Sequence, residues 1–155
     1  MDLITINMKD TEPLSPSCQL LSAKLDWLKV SSPEFYANLP IHSYDHKNNC
    51  LKEECKLGDL QFDMVIGSDI VYWLSSITPL MNVLTILFSR NRATLKAFYF
   101  CYIERSRETH RTLKKAMESA GLEEEFGGFN IEIVAPEFAQ SIDPNAYIYK
   151  LTAKK

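Results

Sequence analysis

The sequence predicts an α/β fold organised around a parallel sheet, on three observations. Phe62 to Trp73 reads FDMVIGSDIVYW, in which the apolar run Met64-Val65-Ile66 is closed by the small residues Gly67 and Ser68. A short apolar run with that ending is the pattern of a strand buried on both faces. Next, Ile77, Leu80, Met81, Leu84, Leu87 and Phe88 recur at helical spacing. Ala93 to Ile103 then alternates Leu95, Ala97, Tyr99 and Cys101 with Phe98, Phe100 and Tyr102, which is apolar on both sides and again suits an interior strand.

The remaining elements follow in chain order. Leu3 to Met8 is apolar enough for a short strand, and the Pro-rich link 11–17 after it is too short for a crossover helix. Leu21, Ala23, Leu25 and Trp27 alternate with polar residues, a strand pattern. Residues 30–58 are polar, hold Pro33 and Pro40, and read as a long loop or insertion, with a short helix able to start near Pro33. His42, His46, Cys50 and Cys55 are types that bind zinc, but their order is reversed from common zinc fingers; polar loop residues and spare thiols are the reading. Thr78-Pro79 resembles a helix start, and Arg90 and Arg92 suit its end. Glu104 to Ala120 carries Leu113, Ala116, Met117 and Ala120 on one stripe of a charged helix that Gly121 stops. Its basic residues read as a solvated face, or, for Arg105 and Arg107, as a dock for an acidic protein; His110 is expected lone and exposed, and Cys101 buried and inert. Asn130 to Val134 and Ala146 to Thr152 are strands joined by a loop over 136–144, and so are antiparallel neighbours.

Bulk properties narrow the function classes. One domain is the natural reading of 155 residues, 46% of them apolar. A net charge of −3 gives no general reason to expect nucleic acid as a partner. No apolar run has the length of a membrane span, and no secretory signal is visible at the N-terminus. Four cysteines without dense spacing fit free thiols in a reducing compartment, so a cytoplasmic protein is expected, with the nucleus also open.

In parallel sheets, ligands sit beyond the carboxyl ends of the strands, which singles out Gly67, Ser68, Asp69 and Tyr72. On the residues alone, Asp69 could equally cap the next helix while Tyr72 packs at the sheet rim. Gly67-Ser68-Asp69-Ile70-Val71-Tyr72 resembles the DxxY signature of the seven-β-strand protein-lysine methyltransferases. Ala23-Lys24-Leu25-Asp26-Trp27 is similar to the end of that family's third strand, and the terminal strand pair also resembles its ending. The resemblance covers about 20–151 and implies a Rossmann-like methyltransferase sheet using S-adenosylmethionine as cofactor. It also implies that Asp69 and Tyr72 orient a lysine amine, while Ser68, Asp26 and Trp27 lie against the cofactor.

One part of the family pattern is missing. Family members begin with a strand and a Gly-rich loop whose backbone approaches the cofactor, whereas none of this chain's five glycines precedes Gly58. The expectation is therefore a methyltransferase domain incomplete at its N-terminus, weak or inactive in transfer, or else a non-catalytic module that binds a protein partner. Without the first strand, the Met64–Val71 edge is left unpaired. Leu3–Met8, the strand around Leu25, or a partner chain through self-association is expected to fill that slot.

Overall fold

The computed structural model describes residues 19–27, 33–45, 47–48, 50–121 and 127–154. The chain divides into two compact units, Met1–Leu60 and Gln61–Lys155. The proposed strand Leu3–Met8 lies outside the described residues.

The first unit holds a helix, Pro33–Ala37 (α1), and a hairpin of Pro40–Asp45 (β1) and Cys50–Lys56 (β2), followed by a 3-10 turn, Leu57–Asp59. These elements occupy the stretch expected to be a long loop, and the polar residues that suggested a loop make the hairpin turn. The Asp45 carboxylate accepts the backbone N–H of Lys47 at 2.9 Å and of Asn48 at 3.2 Å, and the Asn48 amide at 2.7 Å. Side-chain acceptors of this kind stand in for backbone ones in tight turns. Tyr36, Ile41 and Leu57 form the small core. A Cβ at Gly58 would lie 2.8 Å from the Ala37 backbone, so only glycine lets α1 and the 3-10 turn approach this closely. The strand expected over Leu21–Trp27 is reduced to a single bridge, Ser22 to His42. Alternation defines two faces, but a strand also needs a partner edge, and the bridge with β1 occurs only at His42, beside its register shift.

The second unit is a four-stranded mixed sheet with two helices after its parallel strands. Met64–Ser68 (β3) pairs in parallel with Ala97–Ile103 (β4); Ala146–Ala153 (β6) and Phe129–Ile133 (β5) add antiparallel strands in the order β3-β4-β6-β5. The parallel pair requires a crossover, which Leu74–Arg90 (α2) supplies. This helix starts one turn before Thr78-Pro79, the expected start, and Pro79 lies inside it. No breaker precedes Thr78, and Ile77 is buried along with Leu80 and Met81, so burial carries the helix upstream. Arg107–Ser119 (α3) follows β4 and sends Leu113 and Met117, both fully buried, toward the core. A short helix, Pro136–Ile142 (α4), replaces the loop expected between β5 and β6.

One face of the sheet is aromatic and closed. Phe98 and Phe100 stack at 5.3 Å, Phe100 and Tyr149 at 5.2 Å, and Phe88 of α2 meets Phe129 edge-on at 5.1 Å. Each such side chain contributes on the order of 1.5–3 kcal/mol by leaving water. The other face corrects an expectation. β3 was read as buried on both faces, yet Met64 is 52% and Ile66 74% exposed. The run is apolar, but β3 is an edge strand, and among the described residues no strand pairs with its outer side. Cys101, expected buried, lies on the same face as Ile66 and is half-exposed.

Buried Asn91 ties the entry of β3 to the end of α2. Its side-chain oxygen accepts the Phe62 N–H at 3.0 Å, and its amide donates to the Leu87 carbonyl at 2.8 Å. Among the described residues, no helix is long and apolar enough to cross a membrane.

Candidate functional site

Beyond Ser68 the chain leaves β3 in a turn held from below. The Asp69 N–H extends the ladder to the Cys101 carbonyl at 3.0 Å, and Val71, 2% exposed, anchors the turn in the core. Asp69 takes a left-handed backbone, φ 50°. Aspartate is among the few side chains that visit this region at modest cost. The result places the Asp69 carboxylate and the exposed Tyr72 ring together at the rim: the Tyr72 hydroxyl donates to Asp69 Oδ2 at 2.7 Å.

A third residue completes the cluster. Arg105, just past β4, donates Nη1 to Asp69 Oδ1 at 3.0 Å and Nη2 to Oδ2 at 2.8 Å, a bidentate pair. Its guanidinium lies 4.2 Å above the Tyr72 ring centre, within range of a cation–π contact. Arg105 first, and the Tyr72 hydroxyl second, hold the Asp69 carboxyl below its usual range; Asp69 in turn raises Arg105 above its own. Arg105, one of the two arginines read as a possible dock for an acidic protein, thus has its charge engaged by Asp69 within the chain. The signal for this was parallel pairing: register Ser68↔Cys101 brings the ends of β3 and β4 to one rim, and with them Asp69 and Arg105.

Next to this rim lies a second cluster that sequence reasoning missed. His110, expected lone and exposed, packs edge-on to Tyr102 at 5.7 Å and to Tyr147 at 4.7 Å. Its Nδ1 is 2.6 Å from Glu104 Oε2, and its Nε2 is 3.2 Å from the Tyr149 hydroxyl. Tyr147 also donates to Glu104 Oε2 at 3.3 Å. Helix α3 turns His110 back over β6, a contact that a helical wheel of α3 alone does not show. Burial pushes the Tyr149 hydroxyl up to about 12.

Three other expected site residues remain. Ser68 is exposed at the end of β3, opposite Cys101. Asp26 and Trp27, both half-buried, belong to the first unit. Nor does Gly67, at the end of β3, offer a cradle. The open side of Gly67 faces Ile70 and Phe98, whose atoms would lie 2.8 and 3.2 Å from a Cβ there. Gly67 is thus needed for packing and is closed to a ligand. At the end of β3, then, Gly67 offers no open backbone to a cofactor.

No curated protein matches the chain. A family model described as lysine methyltransferase matches residues 45–119, which run from the end of β1 to the end of α3 and include the Asp69–Tyr72 turn. S-adenosylmethionine is the usual cofactor that such a family implies. The mixed sheet with its antiparallel end is consistent with a Rossmann-like methyltransferase fold, and residues 45–119 are similar to the lysine methyltransferase family.

Proposed function

We propose that this chain carries the acceptor side of a protein-lysine methyltransferase, with Asp69 and Tyr72 receiving the side-chain amine. The observation that carries the reading is a carboxylate and a phenol hydrogen-bonded at 2.7 Å beyond the end of a parallel strand, within the segment that matches the family. A carboxylate accepts from an amine N–H, and a tyrosine ring lines an aliphatic channel. Ser68, Asp26 and Trp27 are the residues this reading assigns to the cofactor. No glycine of the given sequence precedes Gly58, so this reading expects weak cofactor binding by the chain as given. Calorimetry with S-adenosylmethionine and S-adenosylhomocysteine tests this: binding weaker than about 100 μM, under roughly 5.5 kcal/mol, is expected. Tight binding would overturn the claim of a deficient cofactor site. Should methylation be measurable, Asp69→Ala abolishes it with little change in cofactor affinity.

A second reading is favoured by the surface beside the turn. Tyr72, Trp73 and Leu74 are all exposed, Trp73 by 73%. A non-catalytic module that binds a protein partner through this face accounts for that strip without any cofactor. Trp73→Ala would then weaken partner capture in a chain that shows no affinity for S-adenosylmethionine. Loss of methylation with partner binding intact would reject this second reading.

A further inference from the structure

Two features of the acceptor rim attract cations, the Asp69 carboxylate and the face of the Tyr72 ring, and Arg105 takes both. Among the described residues, Oδ2 accepts from Arg105 Nη2 and from the Tyr72 hydroxyl, whereas Oδ1 accepts only from Arg105 Nη1. A carboxylate oxygen carries two acceptor sites, so Oδ1 keeps one in reserve. The pair sums to zero charge, and a second cation arriving at Oδ1 meets the guanidinium a few ångströms away. A neutral donor arriving at the same oxygen meets no such opposition.

We propose that Arg105 is a positioning residue that sets the charge preference of this site, so that Asp69 Oδ1 receives an aliphatic amine in its neutral form. The inference rests on the acceptor-site reading above and sharpens it, because an amine acts as a nucleophile only with its lone pair free. Arg105 touches no ligand in this scheme. It acts by neutralising Asp69 and by covering the Tyr72 ring.

The test uses two side-chain probes at neutral pH: Nα-acetyl-lysine methylamide, which is a cation, and its 6-hydroxynorleucine analogue, which is a neutral donor of similar length. The wild-type chain and the variants Arg105→Gln and Arg105→Lys are titrated, following the Asp69 carboxyl carbon and the Tyr72 ring by NMR. Arg105 is exposed, so both variants keep the core. Wild type is expected to bind the hydroxyl probe at least as well as the lysine probe. In Arg105→Gln the preference tilts toward lysine by about fivefold, the size of one unit-charge interaction across a few ångströms of water. Arg105→Lys restores the wild-type order, and wild-type affinity for the lysine probe rises as pH climbs toward the amine's own value, about 10.4. The same preference in wild type and Arg105→Gln overturns the proposal alone. If neither probe moves either signal in wild type or Arg105→Gln, the acceptor-site reading falls, and the proposal with it.

Discussion

Gly67 is the hinge between the sheet core and the Asp69 turn, and replacing it by alanine probes both at once. The new methyl would lie 2.8 Å from Ile70 Cδ1 and 3.2 Å from Phe98 Cε2 and Cζ. Ile70 Cδ1 is the tip of a flexible side chain and can rotate away. The Phe98 ring cannot, because it is 2% exposed and stacked on Phe100 at 5.3 Å. Overpacking of this kind costs about 1–3 kcal/mol, while alanine recovers about 0.5–1 kcal/mol of the entropy that glycine loses in a strand. The net expectation is destabilisation by about 0–2.5 kcal/mol, centred near 1, which for a unit of this size lowers Tm by roughly 4–8 °C for each kcal/mol. Urea unfolding should show a lower midpoint at an unchanged slope. A second readout is local: Ile70 adjoins Asp69, so its displacement should move the NMR signal of the Asp69 carboxyl. A Gly67→Ala variant as stable as wild type, with the Asp69 signal in place, would refute the packing of this turn on Phe98.

Three other perturbations test the frame and its charges. Leu113→Ala empties a fully buried position and should cost about 2–5 kcal/mol, whereas Lys114→Ala on the exposed side of α3 should stay within about 0.5 kcal/mol by urea denaturation; equal effects would mean α3 is not seated on the sheet. Asp69 has a depressed native value, so its stabilisation is whole above the ordinary aspartate range near pH 4 and is lost as pH falls through the lower native value. Urea midpoints of wild type and Asp69→Asn should therefore converge in acid, and a gap that persists to the lowest pH counts against the Arg105 pairing. Tyr149 titrates at about 12 against an ordinary value near 10, so the fold should lose stability between those values as the unfolded chain ionises first. Following the phenolate band of wild type and Tyr149→Phe checks this, and a loss of stability that Tyr149→Phe leaves unchanged would show that Tyr149 is not the group responsible.

The second unit was largely legible because its signals are local. The stripe from Ile77 to Phe88 is a helix, the aromatic alternation of β4 is a strand, and the NIEIV and AYIYKLT runs pair in antiparallel fashion as read. What failed depended on partners. The composition of β3 suits an interior strand, but exposure is decided by what lies beside Met64 and Ile66, which five residues cannot specify. The alternation of Leu21–Trp27 likewise names faces without naming a neighbour, and one bridge at Ser22 is the outcome. The 30–58 stretch reads as a loop because it is polar and holds Pro33, Pro40 and several Asn and Lys residues; yet β2, CLKEECK, is a strand with four charges, since a two-stranded hairpin leaves such side chains in water. At the site, Asp69 and Tyr72 could be paired by spacing, being one turn apart in sequence. Arg105 lies 36 positions from Asp69, and only the parallel register of β3 with β4 brings them together.

That distance also explains why the turn is more than a capping aspartate. A residue serving only to cap α2 would bond to the first N–H groups of that helix, yet Trp73 holds the N-cap position and no side chain caps there. Asp69 instead spends its carboxylate on Arg105 and Tyr72 while holding a left-handed backbone that most side chains avoid. Aspartate adopts that backbone at modest cost, and the turn it makes presents the Asp69–Tyr72 pair at the rim. What it presents is a neutralised carboxylate with one free acceptor site and a tyrosine ring covered on one face. The segment similar to the lysine methyltransferase family includes this turn, and on the charge argument proposed for Arg105 a ligand for this unit is to be sought among uncharged donors carried on aliphatic side chains.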